Sequence, residues 1–308
     1  LLLFVFSNAN AQTLTEKYTA SDYTWNTANK SRDATLVNGK LYVIENTGKI
    51  HVIDVTTGNE IVAENIENSW FNAFGITSDG EGALYVPTGN IAGGTSFKMT
   101  KVELPNTVIP INEHSNVGTG IRTDYPEAYK VDATTTYIAG PTTNHASKVV
   151  RVWTVSGTTI SDPVSFEGIN AQAGADVKWI NESTILLTGQ SSTPMIVSLN
   201  MEDGTFTKTN VGTTTYAFGG SAYFEIAGVP YAVFPTNGLG AYEIFDISDP
   251  ANPVSVAENT TTIGGNANAS IHVAFEAVVE GNIATIYTWS PNNGLSAFEF
   301  EVPAKTFT

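Results

Sequence analysis

Apolar and polar residues alternate over short stretches along the chain from residue 13 onward. Residues 40–44, 49–55 and 83–86 are clear cases, rich in Val, Ile, Leu and Tyr. A period of two residues, interrupted by Gly, Asn, Asp and Pro, is typical of β-strands joined by tight turns. Because no stretch beyond residue 12 shows the period of a helix, the pattern predicts an all-β fold.

An internal repeat decides among a sandwich, a barrel and a propeller. Residues 237–244 read Asn-Gly-Leu-Gly-Ala-Tyr-Glu-Ile, and residues 293–300 repeat this pattern with conservative changes. Looser copies upstream give six units of about 49 residues, the length of one four-stranded propeller blade. The sequence therefore predicts a six-bladed β-propeller with four-stranded antiparallel blades. The units begin near Arg32, Asn72, Asp124, Gly174, Gly219 and Ser270.

The ring also needs a closing strand. The last unit has room for only three strands, since little chain follows its third strand at 297–302. Residues 13–19 alternate and have no other partner, so we expect this N-terminal strand to be the outer strand of the last blade. Such closure protects the first and last sheet edges. Residues 13–308 are therefore interpreted as a single domain.

The first twelve residues are interpreted as the remainder of a signal peptide. Residues 1–6 are apolar, and Ala9-Asn10-Ala11 has the small-x-small pattern that signal peptidase accepts. We therefore expect an exported protein, located in the periplasm, at the cell surface or outside the cell. A transmembrane helix needs about 20 apolar residues, so no membrane span is expected.

Charge and cysteine content exclude several function classes. The chain carries 14 Lys and Arg against 30 Asp and Glu, a net charge of −16, and it has no Cys. Nucleic acids and anionic membranes require a basic surface, so neither is an expected partner. Disulfides, Cys-ligated metals and thiol nucleophiles are impossible. We expect a monomer without a cofactor, with Ca²⁺ left open by the carboxylates described below.

One stretch of the chain resembles a known repeat. Residues 242–254 read Tyr-Glu-Ile-Phe-Asp-Ile-Ser-Asp-Pro-Ala-Asn-Pro-Val. This resembles a repeat of extracellular propeller proteins, in which Asp-Ile-Ser and Asp-Pro-Ala-Asn-Pro separate two apolar strands. The whole chain is similar to uncharacterised secreted propellers of Gram-negative bacteria. The resemblance implies the fold and export, and it transfers no catalytic residue.

Three carboxylates occupy equivalent positions in the predicted innermost strands. Asp33, Glu127 and Asp176 each lie four residues before an apolar residue that precedes a turn. Innermost strands line the channel of a propeller, so these side chains are expected to converge near one mouth of it. Crowded carboxylates pair with cations, bind a hard cation such as Ca²⁺, or share protons as an acid/base pair. All three readings stay open, and these residues are weak catalytic candidates.

The loops between the second and third strands of each unit supply a second candidate site. Together with the connections between blades they form one face of a propeller, here called the loop face. Amides, hydroxyls and aromatic rings there suit a sugar or a polypeptide, although turns also favour Asn, Thr and Gly. The candidate ligand-binding residues are Trp70, Phe71, Asn72, Asn90, Asn144, His145, Gln190, Asn237, Trp289 and Asn292.

Two functional hypotheses follow. The first is an exported binding or scaffolding propeller that recognises a glycan or an envelope protein through its loop face. The alternative is a carbohydrate- or lactone-active hydrolase or lyase that uses the channel carboxylates, with or without Ca²⁺. The chain lacks the Gly-x-Ser-x-Gly and His-Glu-x-x-His motifs, and its four histidines fall in four different units. The sequence therefore favours binding over catalysis.

Overall fold

A computed structural model describes residues 12–67, 73–88, 97–114, 123–142, 148–171 and 174–303. In these ranges the strands form six antiparallel sheets, which are the blades of a six-bladed β-propeller. The fold predicted from the repeat is therefore confirmed. No helix in the described ranges is long and apolar enough to cross a membrane.

The first three blades account for the strands up to residue 166. The first blade also carries a 3-10 helix at Val62–Glu64. Their strands, after the closing strand β1 (Thr13–Ala20), are β2 (Ser31–Val37), β3 (Lys40–Glu45), β4 (Ile50–Asp54) and β5 (Asn59–Glu60); β6 (Thr77–Ser78), β7 (Ala83–Thr88), β8 (Phe97–Glu103) and β9 (Thr107–His114); and β10 (Glu127–Lys130), β11 (Thr135–Pro141), β12 (Val150–Ser156), β13 (Thr159–Ile160) and β14 (Val164–Phe166).

The last three blades follow the same order from the innermost strand outward. Their strands are β15 (Asp176–Asn181), β16 (Thr184–Thr188), β17 (Met195–Leu199) and β18 (Phe206–Asn210); β19 (Ala222–Ile226), β20 (Val229–Pro235), β21 (Tyr242–Asp246) and β22 (Val254–Asn259); and β23 (Ala274–Glu280), β24 (Ile283–Ser290) and β25 (Gly294–Glu301). The sixth blade takes β1 as its outer strand.

Ring closure by the N-terminal strand is confirmed. Strand β1 pairs antiparallel with β25, from Thr13 opposite Glu301 to Ala20 opposite Leu295. The hydroxyl of Tyr18 also donates a hydrogen bond of 2.6 Å to the carbonyl of Val55 in the first blade. The closing strand therefore joins the two ends of the ring through both its backbone and a side chain.

The third blade departs from the four-strand pattern. Its outer edge is shared by two short strands, β13 and β14, which both pair with β12. Pro163 lies between them. Proline has no N–H to donate to a ladder, so the outer strand is interrupted there.

The hydrophobic core lies between neighbouring blades. Between the fifth and sixth blades, the rings of Phe224, Tyr231 and Phe300 lie within 5.3–6.1 Å of one another. All three side chains are at most 5% exposed. Burial of each side chain of this size stabilises the fold by about 1.5–3 kcal/mol.

Six innermost strands, β2, β6, β10, β15, β19 and β23, surround the central channel. The segments that lead into β19 and β23 bridge in parallel, Gly219 beside His272. Neighbouring innermost strands therefore run in the same direction, and the turns that follow them lie at the same end of the channel. We call this end the A–B face, formed by turns at 38–39, 79–82, 131–134, 182–183, 227–228 and 281–282. The loop face lies at the opposite end.

Candidate functional site

An ion triad lies in the channel, built from three innermost strands. Lys178 of β15 places its Nζ 3.1 Å from Oε2 of Glu127 on β10 and 3.4 Å from Oε1 of Glu276 on β23. The side chains are 12%, 21% and 18% exposed, respectively. The indole N–H of Trp179 donates to the carbonyl of Glu127 at 3.0 Å, which fixes β10 against β15. A single ammonium group thus joins blades three, four and six.

One ammonium group cannot neutralise two carboxylates. Burial raises the pKa of Glu127 to about 8, against the opposing effect of Lys178. Burial likewise raises the pKa of Glu276. Burial alone would lower the pKa of Lys178, but the surrounding carboxylates outweigh this and raise it well above its usual range. The triad therefore keeps Lys178 charged and holds a proton on a carboxylate near neutral pH.

A second layer lies nearer the start of the strands. His272 places Nε2 3.5 Å from Asp176 and Nδ1 4.0 Å from Asp33, and the ring of Tyr125 stacks on it at 3.6 Å. The imidazole is 1% exposed, and burial lowers the pKa of His272, which favours the neutral ring. The hydroxyl of Ser221 donates to Asp176 at 2.8 Å.

Asp33 is held by backbone groups of two blades. Its carboxylate accepts hydrogen bonds from the N–H of Ala34 at 2.9 Å and from the N–H of Ile76 in the next blade at 3.1 Å. Burial raises the pKa of Asp33 well above its usual range despite these donors. Asp33 therefore connects blades one and two rather than facing solvent.

A cavity of about 190 Å³ adjoins the ion triad. Along β15 and β23 the side chains are buried at the first two residues and become exposed toward the A–B turns. The cavity therefore opens at the A–B face, and we call it the mouth cavity. Its lining residues are Glu127, Lys178, Trp179, Ala222, Tyr223, Phe275, Glu276 and Ala277.

Exposed acids surround this end of the channel. Five blades each place one exposed carboxylate in or beside an A–B turn: Glu81, Asp132, Glu182, Glu225 and Glu280. The ammonium of Lys130 lies 3.6 Å from Asp79 and 3.8 Å from Glu81 and offsets part of the charge there. A concave site with charges of one sign around it concentrates the field and attracts the opposite charge.

The structure brings the three predicted carboxylates into the channel but separates them. Asp33 and Asp176 flank His272 in the buried layer, whereas Glu127 belongs to the ion triad at the mouth cavity. Sequence reasoning missed Lys178, Glu276 and His272. Their signal was the spacing: Lys178 follows Asp176 by two residues and Glu276 follows His272 by four, so each pair shares a strand face.

The described residues contain no group of three or more His, Asp or Glu side chains arranged to hold a metal ion. The geometry supplies the reason. The ammonium of Lys178 lies where a cation bridging Glu127 and Glu276 would bind, and the ring of His272 separates Asp33 from Asp176. The three carboxylates therefore form no Ca²⁺ site in this part of the chain.

Three amide candidates of the loop face lie among the described residues, and ligand binding by them stays a prediction. Asn237 uses its side-chain oxygen to accept the N–H groups of Leu239 and Ala241 at 2.8 and 3.3 Å. Asn292 donates to the carbonyl of Ala267 at 3.0 Å. Asn237 thus stabilises its own loop, and Asn292 joins its loop to the connection between β22 and β23. Gln190 is half-buried in its turn. The candidates Trp70, Phe71, Asn72, Asn90, Asn144 and His145 lie outside the described residues.

Trp289 requires a correction. The sequence predicts that it lies beside the last loop of the loop face, as part of an aromatic platform for a ligand, but its side chain is 1% exposed. It packs with Ala274 and Leu295, and its ring lies 5.5 Å from those of Tyr23 and Trp25. Trp289 is therefore a core residue, since the connection after β1 covers it.

A second buried ionic cluster lies in the first blade. His51 places Nδ1 2.6 Å from Glu60 and Nε2 3.1 Å from Glu45, and Trp25 stacks on the imidazole at 3.6 Å. Burial would raise the pKa of Glu60, but hydrogen bonds from His51, Asn65 and Trp25 lower it. Because every one of these groups has a partner within the cluster, we interpret it as a structural support for the chain that follows β1.

Comparison with known proteins gives the fold alone. No family model and no curated protein matches the chain. The crystal structure of a DUF4623 family protein from Bacteroides eggerthii is similar, with a TM-score of 0.72 and 14% identity over 95% of this chain and 75% of that one. The Bacteroides ovatus xyloglucan PUL GH43B reaches a TM-score of 0.45 at 15% identity, covering 75% of this chain and 52% of that one. The second likeness is too weak to carry an argument.

Proposed function

We propose that this protein is an exported binding propeller that recognises its partner at the mouth cavity on the A–B face. The observation that carries the proposal is an open cavity with the ion triad in its wall. The described candidates of the loop face, by contrast, bond to neighbouring loop segments or are at least half-buried. Recognition at the mouth cavity would occur at the end of the channel opposite the loop face.

The lining of the mouth cavity suits a polar ligand with an apolar part. The half-buried Trp179 and Tyr223 supply ring surface, while the carboxyl groups of the ion triad supply acceptors and its ammonium supplies a donor. Small-molecule and side-chain sites commonly combine ring surface with a few charged groups that fix orientation. The surrounding exposed acids add long-range attraction for a cationic group.

A second candidate function is a hydrolase or lyase that acts on a sugar or lactone. The observation that favours it is a pair of carboxyl groups at a cavity, of which Glu127 has its pKa raised to about 8 by burial. Such a carboxyl group is protonated near neutral pH and suits general acid catalysis. The test is the pH dependence of hydrolysis of aryl glycosides or lactones. A rate that falls at alkaline pH in the wild type, and activity that is lost in Glu127→Gln, would support this candidate.

Two pairs of variants test the binding proposal on a glycan array and a peptide array. Glu127→Gln with Glu276→Gln alters the mouth cavity, and Gln190→Ala with Asn292→Ala alters the loop face. We expect the first pair to weaken binding about tenfold or more and the second to leave it unchanged. Binding that survives the first pair and disappears in the second would overturn the proposal. Melting curves of both pairs establish that each variant folds.

Export is tested separately. Expression of the complete gene in a Gram-negative host, followed by fractionation and N-terminal sequencing, should give a protein outside the cytoplasm that begins at Gln12 or Thr13. An uncleaved chain in the cytoplasmic fraction would contradict the location without bearing on the mouth cavity.

A further inference from the structure

The axis of the channel is short of positive charge. Asp33, Glu127, Asp176 and Glu276 approach it from four blades, and Lys178 is the ammonium group that they share. His272, between the two aspartates, has its pKa lowered by burial and adds no charge near neutral pH. Near neutral pH the carboxyl groups that Lys178 does not neutralise hold protons, so a cation that enters from the A–B face meets groups that can exchange a proton for it.

The ion triad already demonstrates which group its carboxylates accept. Glu127 and Glu276 hold the ammonium of Lys178 at 3.1 and 3.4 Å, and Lys178 lines the same cavity. Each carboxylate has a second oxygen and further lone pairs for a second donor. Trp179 and Tyr223, which also line the cavity, are half-buried, and ring surface of this kind suits the methylenes and the charge of an alkylammonium chain.

The size of the cavity favours a single side chain over a complete small-molecule ligand. At about 190 Å³ it is smaller than typical small-molecule sites, which span roughly 300–1,000 Å³. A single long side chain fits such a space while the rest of its molecule stays outside. The exposed acids on five of the six blades then face that remainder, which must itself be basic and extended.

We propose that the mouth cavity receives a lysine side chain of a basic polypeptide segment, whose other cations lie over the acids of the A–B face. This rests on the proposed function and names its partner class. The inserted ammonium would share Glu127 and Glu276 with Lys178, and it would displace the proton that these carboxyls hold. Binding should therefore release a proton and strengthen as the pH rises toward 8.

The test uses a peptide of eight residues with one central lysine flanked by arginines, and the same peptide with that lysine Nε-acetylated. Isothermal titration at low and physiological salt measures both. We expect acetylation to weaken binding about tenfold and Glu276→Gln to weaken it similarly. Proton release is counted from titrations in buffers of different ionisation enthalpy.

Controls separate insertion from general attraction. Glu258→Gln removes an exposed acid on β22, away from the A–B face, and should leave the affinity unchanged. The double variant Glu182→Lys with Glu280→Lys alters only exposed acids of the A–B face, so it remains usable if Glu276→Gln folds poorly. It should lower the affinity for both peptides by the same factor. Equal affinity for the two peptides, or equal effects of Glu258→Gln and Glu276→Gln, would overturn lysine insertion.

The outcomes also separate this inference from the proposed function. If array binding depends on the mouth-cavity variants but the two peptides bind alike or not at all, the partner class is wrong and the site stands. If no array partner depends on those variants, both proposals fail.

Discussion

Replacement of Lys178 by methionine should destabilise the propeller, because it leaves two carboxylates in a mostly buried site without their cation. Lys178 is 12% exposed and contacts Glu127 and Glu276 at 3.1 and 3.4 Å. Removal of one partner from a buried ion pair costs about 3–5 kcal/mol. Both glutamates keep some solvent contact and can take up protons, so we expect about 2–3 kcal/mol at pH 8.

The loss should depend on pH, with a sign that follows from the raised pKa of Glu127. Its folded pKa of about 8 exceeds that of an unfolded glutamate, so the folded state binds more protons between these values. Stability therefore falls as the pH rises from about 5 to 8. In Lys178→Met the stability should fall more steeply with pH, because the ammonium group that favours the ionised carboxylates is gone.

Equilibrium urea titrations of the wild type and Lys178→Met at pH 5.5 and pH 8 measure both effects. Lys208→Met removes an exposed lysine of β18 and should change the free energy of unfolding by less than about 0.5 kcal/mol. Lys178→Met with Glu127→Gln and Glu276→Gln should regain part of the loss at pH 8. The reasoning is refuted if Lys178→Met costs no more than Lys208→Met, or the same at both pH values.

Four further predictions concern the ring and the buried clusters. Deletion of residues 13–19 should lower the melting temperature sharply, because β25 loses its antiparallel partner; an unchanged melt would contradict closure. Trp289→Ala should cost about 3–5 kcal/mol in urea titration, as for a core residue, whereas an exposed tryptophan would cost almost nothing. Gly219→Ala would place a Cβ 1.7 Å from the carbonyl oxygen of Gly174 and should greatly lower the soluble yield or the melting temperature. Gly265→Ala has open space around its Cβ and should leave both unchanged. The pKa of Glu60 is lowered in the folded state, so the stability that its ionised carboxylate contributes is lost as the pH falls through this lowered pKa. In Glu60→Gln the stability should therefore decrease less on acidification, as measured by circular dichroism.

The architecture could be predicted because a repeat and a period-two pattern are properties of the sequence itself. The match between residues 237–244 and 293–300 set the repeat, and the unpaired alternation at 13–19 set the closing strand that β1 forms. The divided outer edge of the third blade was not predicted. Its cause, Pro163, acts through a missing ladder hydrogen bond and leaves the period unchanged.

The site was predicted only in part, because distances across the channel depend on the ring rather than on neighbours in sequence. Alignment to the turns placed Asp33, Glu127 and Asp176 in the channel, but it could not tell that a lysine and a histidine divide them into two layers. Trp289 was misplaced for a similar reason. Its cover comes from Tyr23 and Trp25, more than two hundred residues away in the chain.

The central claim, that a partner binds at the A–B end of the channel, is tested most directly by hydrogen exchange. Mass spectrometry of the protein with and without its array partner reports which amides become protected. The account predicts protection at residues 127–134, 178–183, 223–228 and 276–282, which line or surround the mouth cavity. Protection confined to the loop face, at residues 189–194 and 290–293, would contradict it.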